Sequence, residues 1–148
     1  MKEPLEGMSL GFLMGVTYRK MAALLQLRLK AYDITPEQWS VLYHIDRSPG
    51  MIQKEIADKT YKDKPATTRI LDHLESKGLI YKEAGVQDRR SYLVYCTERG
   101  RATIRETIPV EEGLTEEVKR LLTEEQYNLM IALLQRINNY ATERLELE

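Results

Sequence analysis

The chain has 148 residues, 30% charged and 43% hydrophobic, which suits one folded domain with a core of its own. One cysteine excludes an intrachain disulfide and favours a cytoplasmic setting, the longest apolar run (Leu129–Leu134) is too short to span a membrane, and Met1-Lys2-Glu3-Pro4 offers no apolar signal core. The net charge of −1 argues by itself against a strongly basic nucleic-acid binder, but residues 1–50 hold 6 Lys/Arg against 5 Asp/Glu, residues 51–100 hold 10 against 8, and residues 101–148 hold 6 against 10. An anion-facing surface therefore belongs in the middle third.

The first helical pattern runs from about Met8 to Ala31. Its apolar residues, among them Leu10, Leu13, Met14, Met21, Leu24, Leu25, Leu27 and Leu29, wrap more than one face, which predicts burial on more than one side. Thr35-Pro36-Glu37-Gln38 is a capping box with proline at the first helical position, and Ile34 and Trp39 stand where a hydrophobic staple belongs. That helix continues through Val41, Leu42 and Ile45 and stops at Ser48-Pro49-Gly50. A short helix, about Ile52–Lys59, carries Ile56 and Ala57 inward. After a turn, Thr60–Asp63, comes a helix from about Lys64 to Lys77, ended by Gly78. Pro65 fits its first turn, where no N–H is required. Thr67, Ile70, Leu71 and Leu74 form its inward stripe, and Lys64, Pro65, Thr68, Arg69 and Asp72 face out.

Two strand-like runs, Leu79–Ala84 and Ser91–Cys96, flank a tip that reads Gly85-Val86-Gln87-Asp88-Arg89-Arg90. Thr97 can cap a helix toward about Leu121, which Pro109 should kink or interrupt. Thr123-Glu124-Glu125-Gln126 is a second capping box, with Leu122 and Tyr127 as staple partners, and opens a last helix too apolar for a narrow stripe. The order describes a mainly α fold with a small β-hairpin. It is a winged helix-turn-helix at about 34–100, with dimerisation helices at about 8–31 and 101–146, in a single domain spanning 1–148. A homodimer that interleaves the terminal helices would bury their excess apolar surface.

The hairpin carries the most specific motif. Asp88-Arg89-Arg90, Ser91-Tyr92-Leu93, then Val94-Tyr95-Cys96-Thr97-Glu98-Arg99-Gly100 follows the pattern Asp-x-Arg, three residues, Val-x-Leu-Thr-x-x-Gly, with Cys96 in place of leucine. Together with "IQKEIADKT" (Ile52–Thr60) and "KPATTRILDHLESKGLI" (Lys64–Ile80), it makes the chain resemble the MarR family of bacterial transcriptional regulators over nearly its whole length. Ile52 departs from the Ser or Thr cap of many relatives, which predicts a slightly weaker helix start.

The resemblance implies a sequence-specific, double-stranded-DNA-binding regulator, a ligand-responsive repressor acting as a homodimer on a pseudo-palindromic operator. Arg90 would enter the minor groove beside the recognition helix, where negative potential is strongest over A·T-rich DNA. Asp88 would hold Arg90 in direction through a charge-assisted hydrogen bond, and Arg89 would meet phosphate. A solvated turn is the plain alternative. Lys64, Pro65, Thr68 and Arg69 lie toward the N-terminal end of the recognition helix, the end that enters the major groove. Arg69 reads guanine or grips phosphate, or else pairs with Asp72 or His73 on the surface. Thr68 touches a base edge or a phosphate, Pro65 a thymine methyl. Lys62 and Lys64 contact phosphate, and Gln53 and Lys54 the DNA backbone.

The resemblance also implies a cleft for a small aromatic or phenolic effector. Tyr18, Met21, Trp39 and Tyr43 are candidates to line it, with plain core packing as the competing account. His44 and His73 have no companions at metal-ligand spacing, so no metal is expected. No catalytic arrangement appears, so no enzyme is read. Two alternatives remain: a winged-helix protein–protein module without DNA binding, and a redox switch at Cys96. Oxidation-sensing relatives keep their cysteine near the N-terminus, where this chain has none, and a buried inert thiol is the default.

Overall fold

Hydrogen bonds at the helix ends explain where most elements begin. The computed structural model describes residues 7–87 and 90–148. Ser9 caps α1 (Leu10–Leu29) by accepting from the Phe12 N–H, and α1 tightens into one 3-10 turn, Lys30–Tyr32, where a longer α-helix was expected. Both halves of the first capping box form at the start of α2 (Pro36–Arg47): the Gln38 N–H donates to the Thr35 hydroxyl at 3.2 Å, and the Thr35 N–H donates to Gln38 Oε1 at 3.3 Å. α3 (Gln53–Thr60) starts at Ile52 without a side-chain cap. α4 (Lys64–Ser76) starts at Asp63, whose carboxylate accepts from the Ala66 N–H at 2.8 Å.

α4 ends in a Schellman motif. The Leu79 N–H donates to the Leu74 carbonyl at 3.0 Å and the Gly78 N–H to the Glu75 carbonyl at 2.9 Å, with Gly78 at φ +73°. That turn delivers Leu79, itself buried, into the hairpin. β1 (Ile80–Ala84) pairs antiparallel with β2 (Tyr92–Cys96), Ile80 opposite Cys96 and Ala84 opposite Tyr92. Each strand begins one residue later than the sequence suggests. Met51 bridges to Val94, so the segment between α2 and α3 adds a one-residue third strand, too short to show alternation in the sequence.

Thr97 caps α5 (Glu98–Arg120) by accepting from the Gly100 N–H at 3.0 Å. The interruption expected at Pro109 does not occur: α5 runs through it as one helix. Proline removes one N–H from the ladder, and the turns on either side keep theirs. The second capping box forms as expected at the start of α6 (Glu124–Leu147).

The chain divides into two compact units, Met1–Val110 and Glu111–Glu148. The core of the first is built on Leu29, Val41, Leu42, Ile45, Ile56, Leu71, Leu74, Ile80 and Val94. Truncating a buried leucine such as Leu71 to alanine costs about 2–5 kcal/mol. Thr67 is fully buried, as its inward position predicts. The burial expected of the terminal helices on several sides is not met within one chain. α1 leaves Leu10, Phe12, Tyr18 and Leu27 exposed, and α6 leaves Leu129, Leu133, Leu134 and Tyr140 exposed. These are the apolar side chains that cover a helix all round, and one chain does not cover them all.

Candidate nucleic-acid interface

Alternation of buried and exposed positions along α4 fixes what the helix can offer. Thr67, Ile70, Leu71 and Leu74 anchor one side in the core, which turns Lys64, Pro65, Thr68 and Arg69 to the other, exposed side. These four residues, with Asp72 and His73, line a shallow open surface of about 460 Å³. A second concavity, about 550 Å³, opens between α3, the start of α4 and the hairpin. Lys54, Lys62, Lys64, Lys82 and Arg90 line it, over apolar residues that include Ile52, Ala57, Leu71 and Val94, and Asp58 adds a carboxylate. Lys64 belongs to both surfaces, so the cationic lining runs from the recognition helix to the hairpin tip. Gln53 lines the second surface as well. Asp88 and Arg89 lie outside the described residues, so the proposed bond from Asp88 to Arg90 does too.

Local partners differ from expectation in two places. Arg69 faces neither Asp72 nor His73: its guanidinium lies 4.0 Å from the Glu37 carboxylate on α2, with both side chains more than half exposed. Asp72 is engaged instead by Lys82, at 3.6 Å, and the same lysine lies 3.9 Å from Glu75. An exposed pair at 4.0 Å contributes at most about 1 kcal/mol, so Glu37 restrains Arg69 only lightly. Gln53 and Thr68, both read as possible DNA contacts, bond to each other, Gln53 Nε2 donating to Thr68 Oγ1 at 2.6 Å.

Residues 34–92 match the model of the MarR family. The solved structure of a mutant MarR from E. coli is 30% identical to this chain, covers 89% of it and 98% of itself, and superposes with a TM-score of 0.72. The chain belongs to the MarR family. A mutant E. coli MarR complexed with operator DNA is 29% identical, with 93% of this chain and 99% of that one covered and a TM-score of 0.83. The transcriptional repressor CouR, bound to a 23-mer DNA duplex, is 26% identical, with 93% and 99% covered and a TM-score of 0.83. Membership makes the chain a winged-helix DNA-binding transcriptional regulator rather than an enzyme.

Two of the candidate effector residues of this MarR-family protein, Trp39 and Tyr43, pack against each other and against neighbouring side chains. Trp39 stacks on Tyr43 with centroids 5.2 Å apart, its indole N–H donates to the Thr107 hydroxyl at 2.8 Å, and Arg47 sits 5.5 Å over the Tyr43 ring. Tyr18 is exposed on α1. Cys96 is buried with its thiol directed at the Leu42 carbonyl, 3.8 Å away. Desolvation, reinforced by the Asp46 charge and opposed by Arg101, pushes its pKa up to about 12. A buried thiol held protonated fits the inert account of Cys96 better than a redox switch.

Sequence reasoning missed three contributors to this surface. Asp63 as the cap of α4 was legible, since aspartate just before a Lys-Pro helix start is a standard signal. Tyr61, in the left-handed region at φ +54° and exposed in the turn between α3 and α4, carries no such signal, because glycine or asparagine is expected there. Glu37 reaches Arg69 only through tertiary packing.

Proposed function

We propose that the protein is a homodimeric repressor that binds a pseudo-palindromic operator in cytoplasmic double-stranded DNA and is released by a small aromatic or phenolic effector. The observation that carries the DNA reading is the continuous cationic lining from the exposed face of α4 to Arg90 at the hairpin tip. Lys64, Pro65, Thr68 and Arg69 enter the major groove, N-terminal end first, and Arg90 enters the flanking minor groove. Lys54 and Lys62 meet phosphates on the rim between them, and Arg89 joins them from the hairpin while Asp88 orients Arg90. Dimerisation is supported by the apolar side chains that one chain leaves exposed on α1 and on α6. Repression is supported by the likeness to CouR. The effector acts by binding one arrangement of the dimer better than the other, which shifts the population away from the one that spans both half-sites.

Selection from random duplex DNA tests the reading. The expected product is a two-fold related site whose half-site centres lie about one helical turn, roughly 10 bp, apart. A protein that enriches no sequence at low salt is a winged-helix protein-docking module instead.

A further inference from the structure

One hydrogen bond joins α3 to α4 on the outward side of the helix-turn-helix. Gln53 Nε2 donates to Thr68 Oγ1 at 2.6 Å, and Thr68 Oγ1 lies 3.0 Å from the Lys64 carbonyl oxygen. The direction of both bonds follows from valence. A carbonyl oxygen only accepts, so the single Thr68 proton goes to Lys64. The contact with Gln53 then needs a proton from Gln53, which its amide nitrogen supplies. A hydroxyl has one donor and two acceptor sites, so one acceptor site is left on Thr68. Thr68 is exposed beside Lys64, Pro65 and Arg69. An unclamped threonine there turns to suit either a donor or an acceptor; Gln53, taking one lone pair, and the Lys64 carbonyl, taking the proton, together leave it an acceptor.

Resting on the DNA reading above, we propose that Gln53 is a positioning residue that fixes Thr68 as a hydrogen-bond acceptor toward the major groove, so that Thr68 selects an exocyclic amino group, adenine N6 or cytosine N4, at one base of each half-site. Guanine and thymine present oxygens at the corresponding edge, and an acceptor set against an acceptor leaves both unsatisfied. The clamp is held from both sides, because α3 is anchored by buried Ile56 and α4 by buried Thr67, Ile70 and Leu71. The discrimination expected from one neutral hydrogen bond is about three- to tenfold.

The test uses the full-length protein and its selected operator. The base position that Thr68→Val alters is located first. Analogues that lack only the amino group, purine for adenine or 2-pyrimidinone for cytosine, are then placed there on each strand in turn, and binding is read by fluorescence anisotropy. Deleting the amino group on one strand should weaken wild-type binding about three- to tenfold. It should leave Thr68→Val unaffected and cost Gln53→Ala less than it costs the wild type, while Thr68→Ser, which keeps the hydroxyl, should stay sensitive. The proposal is overturned if Thr68→Val alters no position, if amino deletion is harmless to the wild type, or if Gln53→Ala remains fully sensitive. A wild type that enriches no sequence refutes the DNA reading and the inference with it. A wild type that selects an operator but ignores the amino group refutes the inference alone.

Discussion

Gly100 closes the wing motif, and the structure gives a spatial reason for it. It is buried in the first turn of α5, and a Cβ built on it would collide with the Leu79 carbonyl oxygen and lie 3.0 Å from the Leu79 carbonyl carbon. That same carbonyl accepts the Thr97 N–H at 3.0 Å, the bond that ties the start of α5 to the entry of the hairpin. Gly100→Ala therefore has to push α5 away from backbone, which no rotamer change can absorb. Overpacking of this kind costs roughly 1–3 kcal/mol. Weakening the Thr97 bond adds about 0.5–1.5 kcal/mol, so the expected loss is about 2–4 kcal/mol. At about 2–4 °C per kcal/mol for a chain of this size, Tm falls by roughly 4–16 °C. Urea unfolding followed by fluorescence of Trp39, the single tryptophan, reads the loss directly. Protein concentration must be matched, since a dimer's stability depends on it. A loss below about 0.5 kcal/mol, the range of ordinary surface substitutions, would refute the packing argument.

Cys96 makes a pH prediction. The folded state holds its thiol proton up to about pH 12, while an unfolded chain releases it near 9.0, so this contribution to stability is full below pH 9 and is lost as pH rises toward 12. Urea midpoints measured over that range should fall with pH, and Cys96→Ala should flatten the fall. Tyr61→Gly relieves a left-handed backbone at an exposed site and should stabilise the fold by roughly 0.5–1 kcal/mol, after the extra unfolded-state freedom of glycine is deducted; thermal unfolding checks the sign. Glu37→Gln frees Arg69 and removes an acid near the DNA-facing side, so operator affinity should rise about two- to fivefold at low salt and converge with wild type at high salt.

What the sequence made legible was local. Both capping boxes, the stop at Gly78 and the cap at Thr97 depend on residues within a turn of each other, and each formed as read. The inward stripe of α4 followed from its 3.6-residue period, and that stripe is what turns Lys64 and Arg69 outward. Contacts between distant segments were not legible. Met51 joins the wing through a single bridge, Glu37 meets Arg69 across two helices, and Gln53 meets Thr68 across the turn. Pro109 does not interrupt α5, because the cost of one proline in a helix is one a long helix can carry.

The most direct test of the DNA reading is anisotropy titration of the selected operator across a salt series, with wild type, Arg90→Ala and Arg69→Ala side by side. Binding should weaken steeply with salt. Each substitution should lower affinity about tenfold or more, and a lost phosphate contact should reduce the salt slope by about 1. If both variants bind the operator as tightly as wild type at every salt concentration, neither α4 nor the hairpin is the DNA-reading surface.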